Sequence, residues 1–292
     1  MGERCNRTAE VRGSIPLSST TRPIAPLPRR RGELAATRMT DPNDAATLPR
    51  AIPAATLIVF RDRARLPPEL LLVERSPRLA FAPGATVFPG GRIDPGDVAL
   101  AETLGPIAPV DAAARIAAIR ETIEETGVAI GVAPPPGADT IRAALRHGAT
   151  LGETLDGTAL DLDQLVPFAH WRPRERHARV FDALFYLARL PIDAPPASVD
   201  STENVQLDWA GARETLDAAA RGERTLIFPT RRNLERLAQF ASFDEAVAHA
   251  RATPVRRITP WIEPRDGVDY LCIPDDLGYP ITAEPVAAAR RG

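Results

Sequence analysis

Three glutamates, Glu121, Glu124 and Glu125, lie close together on the chain at a spacing that could bind a cation. In an α-helix each residue advances by about 100°, so these side chains share an arc of about 100°. Acids at this spacing repel each other by roughly a few tenths of a kcal/mol per pair, and the helix dipole disfavours them near a C-terminus. They would suit a hard divalent cation with oxygen ligands, as Mg²⁺ prefers. A solvated acidic face is the alternative that the residues alone leave open.

The element that must position these glutamates is an amphipathic helix over residues 112–126. Ile116, Ile119 and Ile123 fall on the side opposite the acids, which predicts one face packed on a core and one face carrying carboxylates. Gly127 follows directly and is a good residue to end a helix.

Short apolar runs predict the strands on which that helix would pack. Residues 56–60 and 70–73 read as two buried strands separated by a turn containing Pro67 and Pro68, and 180–188 and 205–209 read as two more. Strands and helices alternate irregularly, which favours an α+β fold over a doubly wound parallel sheet.

Two further helices are predicted over residues 212–221 and 231–251. The apolar positions of the second, among them Leu234, Leu237 and Phe240, fit a core-packing helix and equally a homodimer surface.

A double-glycine turn precedes the acidic helix and completes a motif. Two adjacent glycines, Gly90 and Gly91, let the backbone approach an ion or a phosphate closely. Gly91, Asp97 and the run from Arg120 to Gly127 resemble the Nudix box, in which a glycine and an acid precede Arg-Glu-x-x-Glu-Glu-x-Gly. Asp97 stands where that box usually has Glu, and the spacer 98–119 holds 22 residues, several times the usual length.

More of the chain resembles one branch of the Nudix hydrolases, the coenzyme A diphosphatase-like proteins. Residues 71–79, with Gly84 and 88–91, resemble the CoA-associated motif of that branch, although Val73 and Thr86 depart from it. The long spacer and several later segments are similar to the peroxisomal CoA diphosphatases of animals. These segments are 167–173, 179–186 and 228–234.

The resemblance implies a fold and an activity. The fold would be the Nudix fold, a mixed β-sheet sandwiched between α-helices, here with helical insertions. The activity would be metal-dependent hydrolysis of a diphosphate, with CoA or acyl-CoA giving 3′,5′-ADP and (acyl-)phosphopantetheine. ADP-ribose, NADH and other nucleoside diphosphate derivatives are alternative substrates, and a non-catalytic nucleotide-binding Nudix-fold module is an alternative of another class.

The resemblance also assigns roles to residues. Mg²⁺ or Mn²⁺ would be held by Glu121, Glu124 and Glu125 together with the carbonyl of Gly91. Either Glu121 or Glu125 would accept the proton of the attacking water, and Arg120 would orient a glutamate. The substrate-binding candidates are Arg75 and Gly90, and the additional candidates are Asp97 and Glu203.

The composition of the chain limits the classes of substrate and partner that the protein is expected to bind. All 36 basic residues are arginine, and with 38 acidic residues the formal net charge is −2. The absence of lysine excludes Schiff-base and P-loop lysine chemistry, and a near-neutral charge argues against nucleic acid. No apolar run approaches the roughly 18 residues of a membrane span. We therefore expect a small-molecule nucleotide or CoA substrate, no membrane partner and a cytoplasmic location.

The chain is expected to divide into two parts. Residues 1–50 are rich in Pro and Arg with little apolar periodicity, which predicts disorder, and residues 1–38 are predicted to be dispensable because Met39 offers an alternative start. Residues 51–292 would form a single Nudix hydrolase domain with insertions near 98–112 and 129–165.

Overall fold

A mixed eight-stranded sheet forms the centre of the structure, a computed structural model. The structure describes residues 51–105, 111–133, 138–155, 158–173, 180–200 and 202–289. The strands are β1 (Ile52–Arg63), β2 (Leu66–Arg75), β3 (Thr86–Val87), β4 (Gly90–Arg92), β5 (Val132–Ala133), β6 (Ala159–Leu160), β7 (Val166–Trp171), β8 (Phe181–Arg189), β9 (Asn204–Gly211), β10 (Arg257–Ile258), β11 (Trp261–Arg265), β12 (Val268–Cys272) and β13 (Ala283–Pro285). The helices are α1 (Pro95–Thr103), α2 (Ala112–Thr126), α3 (Ala138–Arg146), α4 (Leu151–Thr154), α5 (Ala212–Ala220), α6 (Phe228–Leu237), α7 (Phe243–Ala252) and α8 (Val286–Ala289), with a short 3-10 helix at Leu162–Gln164.

The sheet mixes parallel and antiparallel neighbours. Its main path runs β10-β7-β8-β1-β2-β3, with β4 paired to β1 and β9 paired to β2. β1 runs parallel to β8, whereas β1 and β2 are antiparallel. The expected α+β class is therefore confirmed.

Both faces of the sheet are buried, each by a different set of helices. On β1, Leu57 and Val59 face the core that contains the isoleucines of α2. Ile58 and Phe60 face the opposite core, to which α5, α6 and α7 contribute. Because side chains alternate along a strand, a central strand covered on both sides is apolar at nearly every position. Within the described residues, no helix combines the length and apolar character needed to cross a membrane.

Two expectations about local structure are wrong. Pro67 and Pro68 lie inside β2, and the turn falls at residues 64–65. They precede Glu69, where pairing with β9 begins, and so occupy positions that need no backbone donor. The single helix expected over 231–251 is two helices, α6 and α7, because Ser242 caps the second by accepting a hydrogen bond from the backbone N–H of Glu245.

The segments predicted as insertions contain regular structure where they are described. α1 packs Leu100 and Ala101 against the core beneath α2. Within 129–165 lie α3, α4, the 3-10 helix and the β5–β6 pair. Residues 1–50, 106–110, 134–137 and 156–157 lie outside the described residues, so the expectations for the N-terminal segment and the division into domains stay predictions.

Candidate active site

The acidic helix has the bounds that the sequence predicts. α2 runs over Ala112–Thr126, and Gly127 ends it in the left-handed conformation with φ of 70°. That conformation suits glycine because it has no Cβ.

The double-glycine turn brings the backbone against the carboxylates of α2. β4 pairs with β1, with Gly91 opposite Ala55, and this pairing fixes the turn at the sheet. A Cβ on Gly91 would overlap the Glu121 carboxylate, and one on Gly90 would overlap the Ala55 carbonyl. The Gly90 N–H donates to Glu125 Oε2 at 3.1 Å. Both glycines are therefore required by close approach.

Arg120 lies at the centre of the acidic group and is 6% exposed. Its Nε and Nη2 donate to the two oxygens of Asp97, each at 3.0 Å. Its Nη1 donates to Glu121 Oε1 at 3.0 Å and Glu124 Oε1 at 3.1 Å, and Nη2 also reaches the Arg92 carbonyl at 2.8 Å. Burial opposes its charge, but the hydrogen bond to Asp97 and the charges of Glu121 and Asp97 outweigh burial and raise the pKa of Arg120.

Asp97, one of the additional candidates, lies on α1 and is 1% exposed. Besides its two bonds with Arg120, it accepts the backbone N–H of Asp94 at 2.8 Å. Its oxygens are thus occupied within the protein, and Asp97 fixes the guanidinium of Arg120 across the long spacer.

Glu125 is buried and Glu121 is half-buried, and the pKa values of both carboxyls are raised. Burial raises the pKa of Glu121 to about 7, and the neighbouring Glu124 adds to that rise against the opposing effect of Arg120. Burial and the charge of Glu121 raise the pKa of Glu125 to about 8. A solvated acidic face does not describe this helix, since Glu125 is only 5% exposed.

A second wall of the site comes from β2 and β9, on which Arg75 pairs with Asn204. Arg75 donates Nε to the Phe81 carbonyl at 3.2 Å, and its charge lowers the pKa of Glu125. In the part of the chain that the structure describes, no carboxylate forms an ion pair with Arg75. Glu203 is exposed, and its charge raises the pKa of Glu121. The structure thus brings both sequence candidates to the edge of the acidic group.

Asn204 is a further candidate site residue, with no signal in the sequence. It is fully buried, and its amide lies close enough to Glu125 to lower the pKa of that carboxyl. Neither amide atom reaches hydrogen-bond geometry with a described residue. No local spacing signals Asn204, because pairing of β9 with β2 brings it to α2 from far along the chain.

The residues present have the chemistry to bind a divalent cation, although their oxygen atoms do not point to one common position. Among the described residues, no three acidic, histidine or cysteine side chains form a ready ligand group. Arg120 holds Glu121 and Glu124 through one oxygen each. The clustered carboxylate oxygens, their negative charge and the unpartnered amide oxygen of Asn204 are nevertheless groups that a hard cation would satisfy.

Comparisons with known proteins agree with this geometry. No protein-family model matches the chain. The human protein named Acyl-coenzyme A diphosphatase NUDT19 is 28% identical over 271 residues, which cover 71% of this chain and 72% of that protein. Putative nudix hydrolase 7 of Caenorhabditis elegans is 29% identical over 197 residues. Those residues cover 65% of this chain and 62% of the worm protein.

One solved structure has the same fold as this chain, and nearly all of that structure superposes on it. The NUDIX hydrolase from Alicyclobacillus acidocaldarius superposes with a TM-score of 0.60 at 28% identity, covering 68% of this chain and 96% of that one. The mixed sheet flanked by helices is therefore the Nudix fold. With the box residues assembled on β4 and α2, the chain is similar to Nudix hydrolases in both sequence and fold.

Proposed function

We propose that the protein hydrolyses the diphosphate of CoA or acyl-CoA to 3′,5′-ADP and (acyl-)phosphopantetheine, with Mg²⁺ or Mn²⁺. The observation that carries the proposal is the acidic group of α2 held against the Gly90–Gly91 turn, with Arg75 on the adjacent wall. The human relative, whose printed name is an acyl-coenzyme A diphosphatase, supports the substrate class.

A divalent cation bound by Glu121, Glu124 and Glu125, with the Gly91 carbonyl, would neutralise diphosphate oxygens and make water more acidic. Arg120 holds two of these glutamates by one oxygen each, which leaves the second oxygen of each for other partners. Arg120 thus restricts the orientation of both carboxylates.

Glu121 and Glu125 are the candidates to accept the proton of the attacking water. In the cation-free protein burial raises their pKa values to about 7 and about 8, so both carboxylates take up protons readily near neutral pH. Each is fixed through one oxygen, Glu121 by Nη1 of Arg120 and Glu125 by the Gly90 N–H.

Arg75 is the candidate to bind a phosphate of the substrate. A guanidinium forms two parallel hydrogen bonds to a phosphate, and Nε of Arg75 is anchored on the Phe81 carbonyl. That anchor positions the side chain beside the acidic group, where a diphosphate must lie to be hydrolysed.

A substrate panel tests the proposal. CoA, acetyl-CoA, ADP-ribose and NADH are each incubated with the protein and Mg²⁺, and products are identified by mass spectrometry. We expect 3′,5′-ADP and the phosphopantetheine product from CoA and acetyl-CoA, and none in EDTA. Turnover of ADP-ribose or NADH without turnover of CoA would replace the substrate assignment, and binding without any turnover would favour a non-catalytic module.

A further inference from the structure

The C-terminal turn of α2, which carries Glu124 and Glu125, is held by an arginine from outside the motif. The last four carbonyls of a helix lack partners within it and must find them elsewhere. Here the carbonyls of Glu124 and Glu125 accept Nε and Nη2 of Arg142, each at 2.8 Å. Arg142 lies on α3, within the predicted 129–165 insertion, and is 5% exposed.

Ser198 completes the same arrangement. Its backbone N–H donates to the Thr126 carbonyl at 2.8 Å, and Gly127 N–H donates to the Ile123 carbonyl at 2.9 Å. Arg142 also donates to Ser198 through Nη1 to Oγ and Nη2 to the carbonyl, both at 2.7 Å. All four terminal carbonyls of α2 are therefore satisfied. The guanidinium of Arg142 joins the C-terminal turn of α2 to the loop that leads into β9.

The chain after Ser198 leads into β9, which forms part of the second wall of the site. The carboxylate of Asp200 accepts the backbone N–H groups of Glu203 at 2.9 Å and Asn204 at 3.1 Å. Arg146, one turn along α3 from Arg142, donates to the Asp200 carbonyl at 3.0 Å. Two arginines of one helix thus fix both the turn of Glu124 and Glu125 and the loop of Glu203 and Asn204.

We infer that Arg142 is a positioning residue that sets the placement of the Glu124 and Glu125 carboxylates for cation binding, an inference that rests on the proposed function. It contacts the backbone of these residues and no reacting atom. Partners that orient the ligands of a metal typically change affinity or activity about 10–100-fold when they are removed. The positive guanidinium also offsets the unfavourable helix dipole at this end.

The matched control is Arg115, which lies on α2, the helix that carries the glutamates. It is also buried and also donates to two backbone carbonyls, those of Leu162 at 2.7 Å and Leu165 at 2.8 Å. It lies near the start of α2, far along the helix from the glutamates. An Arg115→Met variant therefore loses a comparable buried arginine without loosening the acidic turn.

The test measures binding of Mn²⁺ alone to the full chain by isothermal titration calorimetry, alongside CoA turnover. We expect Arg142→Met to raise the Kd for Mn²⁺ about 10–100-fold and to lower kcat with little change in KM for CoA. Arg142→Lys should restore part of the affinity, since an ammonium replaces some donors but not the planar fork. Arg115→Met should lower Tm and leave the Kd for Mn²⁺ unchanged.

Wild-type Mn²⁺ affinity in folded Arg142→Met would overturn the inference, as would equal losses of affinity in the Arg142 and Arg115 variants. If Arg142→Met does not fold, the Kd for Mn²⁺ is measured on Arg142→Lys and Ser198→Ala instead. An unchanged Kd in both variants overturns the inference. A wild-type protein that binds Mn²⁺ but hydrolyses no diphosphate contradicts the proposed function, while the effect of Arg142 on Kd remains measurable.

Discussion

At the scale of single residues, Arg120 determines how the carboxylates are arranged. One guanidinium binds Asp97 with two parallel hydrogen bonds and still reaches Glu121 and Glu124. Such bidentate, charge-assisted pairs are stronger than neutral hydrogen bonds and fix geometry. We propose that the arginine of the motif acts by orienting the carboxylates of α1 and α2 around it, without contacting substrate.

Arg75→Ala should weaken substrate binding. Loss of charge-assisted hydrogen bonds worth about 1.5–3 kcal/mol raises KM for CoA by about tenfold or more, with kcat less affected. Steady-state kinetics at saturating Mg²⁺ measure this. Arg213→Ala, at an exposed arginine on α5, is the control and should match wild type. An unchanged KM in the Arg75 variant would remove Arg75 from the site.

Buried carboxylates make the cation-free protein sensitive to pH. The folded-state pKa values of Glu121 and Glu125, about 7 and about 8, lie above the ordinary value of 4.5. The native state therefore binds more protons than the unfolded state, and the free energy of unfolding falls as pH rises from about 5 to 8. In EDTA, urea unfolding should show a loss of at least about 1.4 kcal/mol, the equivalent of one pKa unit.

Glu125→Gln provides the internal check on that pH effect. The amide carries no charge to bury, so the variant should lose less stability over the same pH range. Mg²⁺ should also flatten the wild-type profile. Parallel pH profiles for wild type and variant would show that Glu125 is not the buried titrating group.

At the scale of elements, α1 ties the long spacer to the acidic helix through Asp97. Asp97→Asn removes the charge that faces buried Arg120, and breaking a buried pair of this kind costs about 3 kcal/mol. Urea unfolding measures the loss. Glu102→Gln, an exposed acid on the same helix, should stay within about 0.5 kcal/mol of wild type. Equal stability of the two variants would show that the Asp97–Arg120 pair does not stabilise the contact between α1 and α2.

Elements with a local signal were predictable from the sequence. Apolar periodicity and Gly127 define α2 at both ends. The break between α6 and α7 also had a signal, because Ser242 and Glu245 have the spacing of a capping box. Pro67 and Pro68 are typical of a turn, yet they lie in a strand, because proline is tolerated in a strand where no backbone donor is needed.

At the scale of the whole molecule, the sheet brings together residues that the sequence separates. Pairing of β4 with β1 places the glycine turn, and pairing of β9 with β2 places Asn204 opposite Arg75. The motif predicted the carboxylates of α2, but nothing local predicted Asn204 or Arg142, which depend on strand pairing and on the docking of α3. The substrate, the homodimer and the cytoplasmic location remain predictions.

We propose that the carboxylates of α2 hold the cation with which the protein hydrolyses the diphosphate of CoA. The most direct measurement compares CoA turnover at saturating Mg²⁺ by wild type and by the Glu124→Gln, Glu125→Gln double variant, with Glu102→Gln as control. We predict that wild type and control release 3′,5′-ADP at equal rates, whereas the double variant is slower by about a thousandfold. A folded double variant that releases 3′,5′-ADP at the wild-type rate would contradict the account.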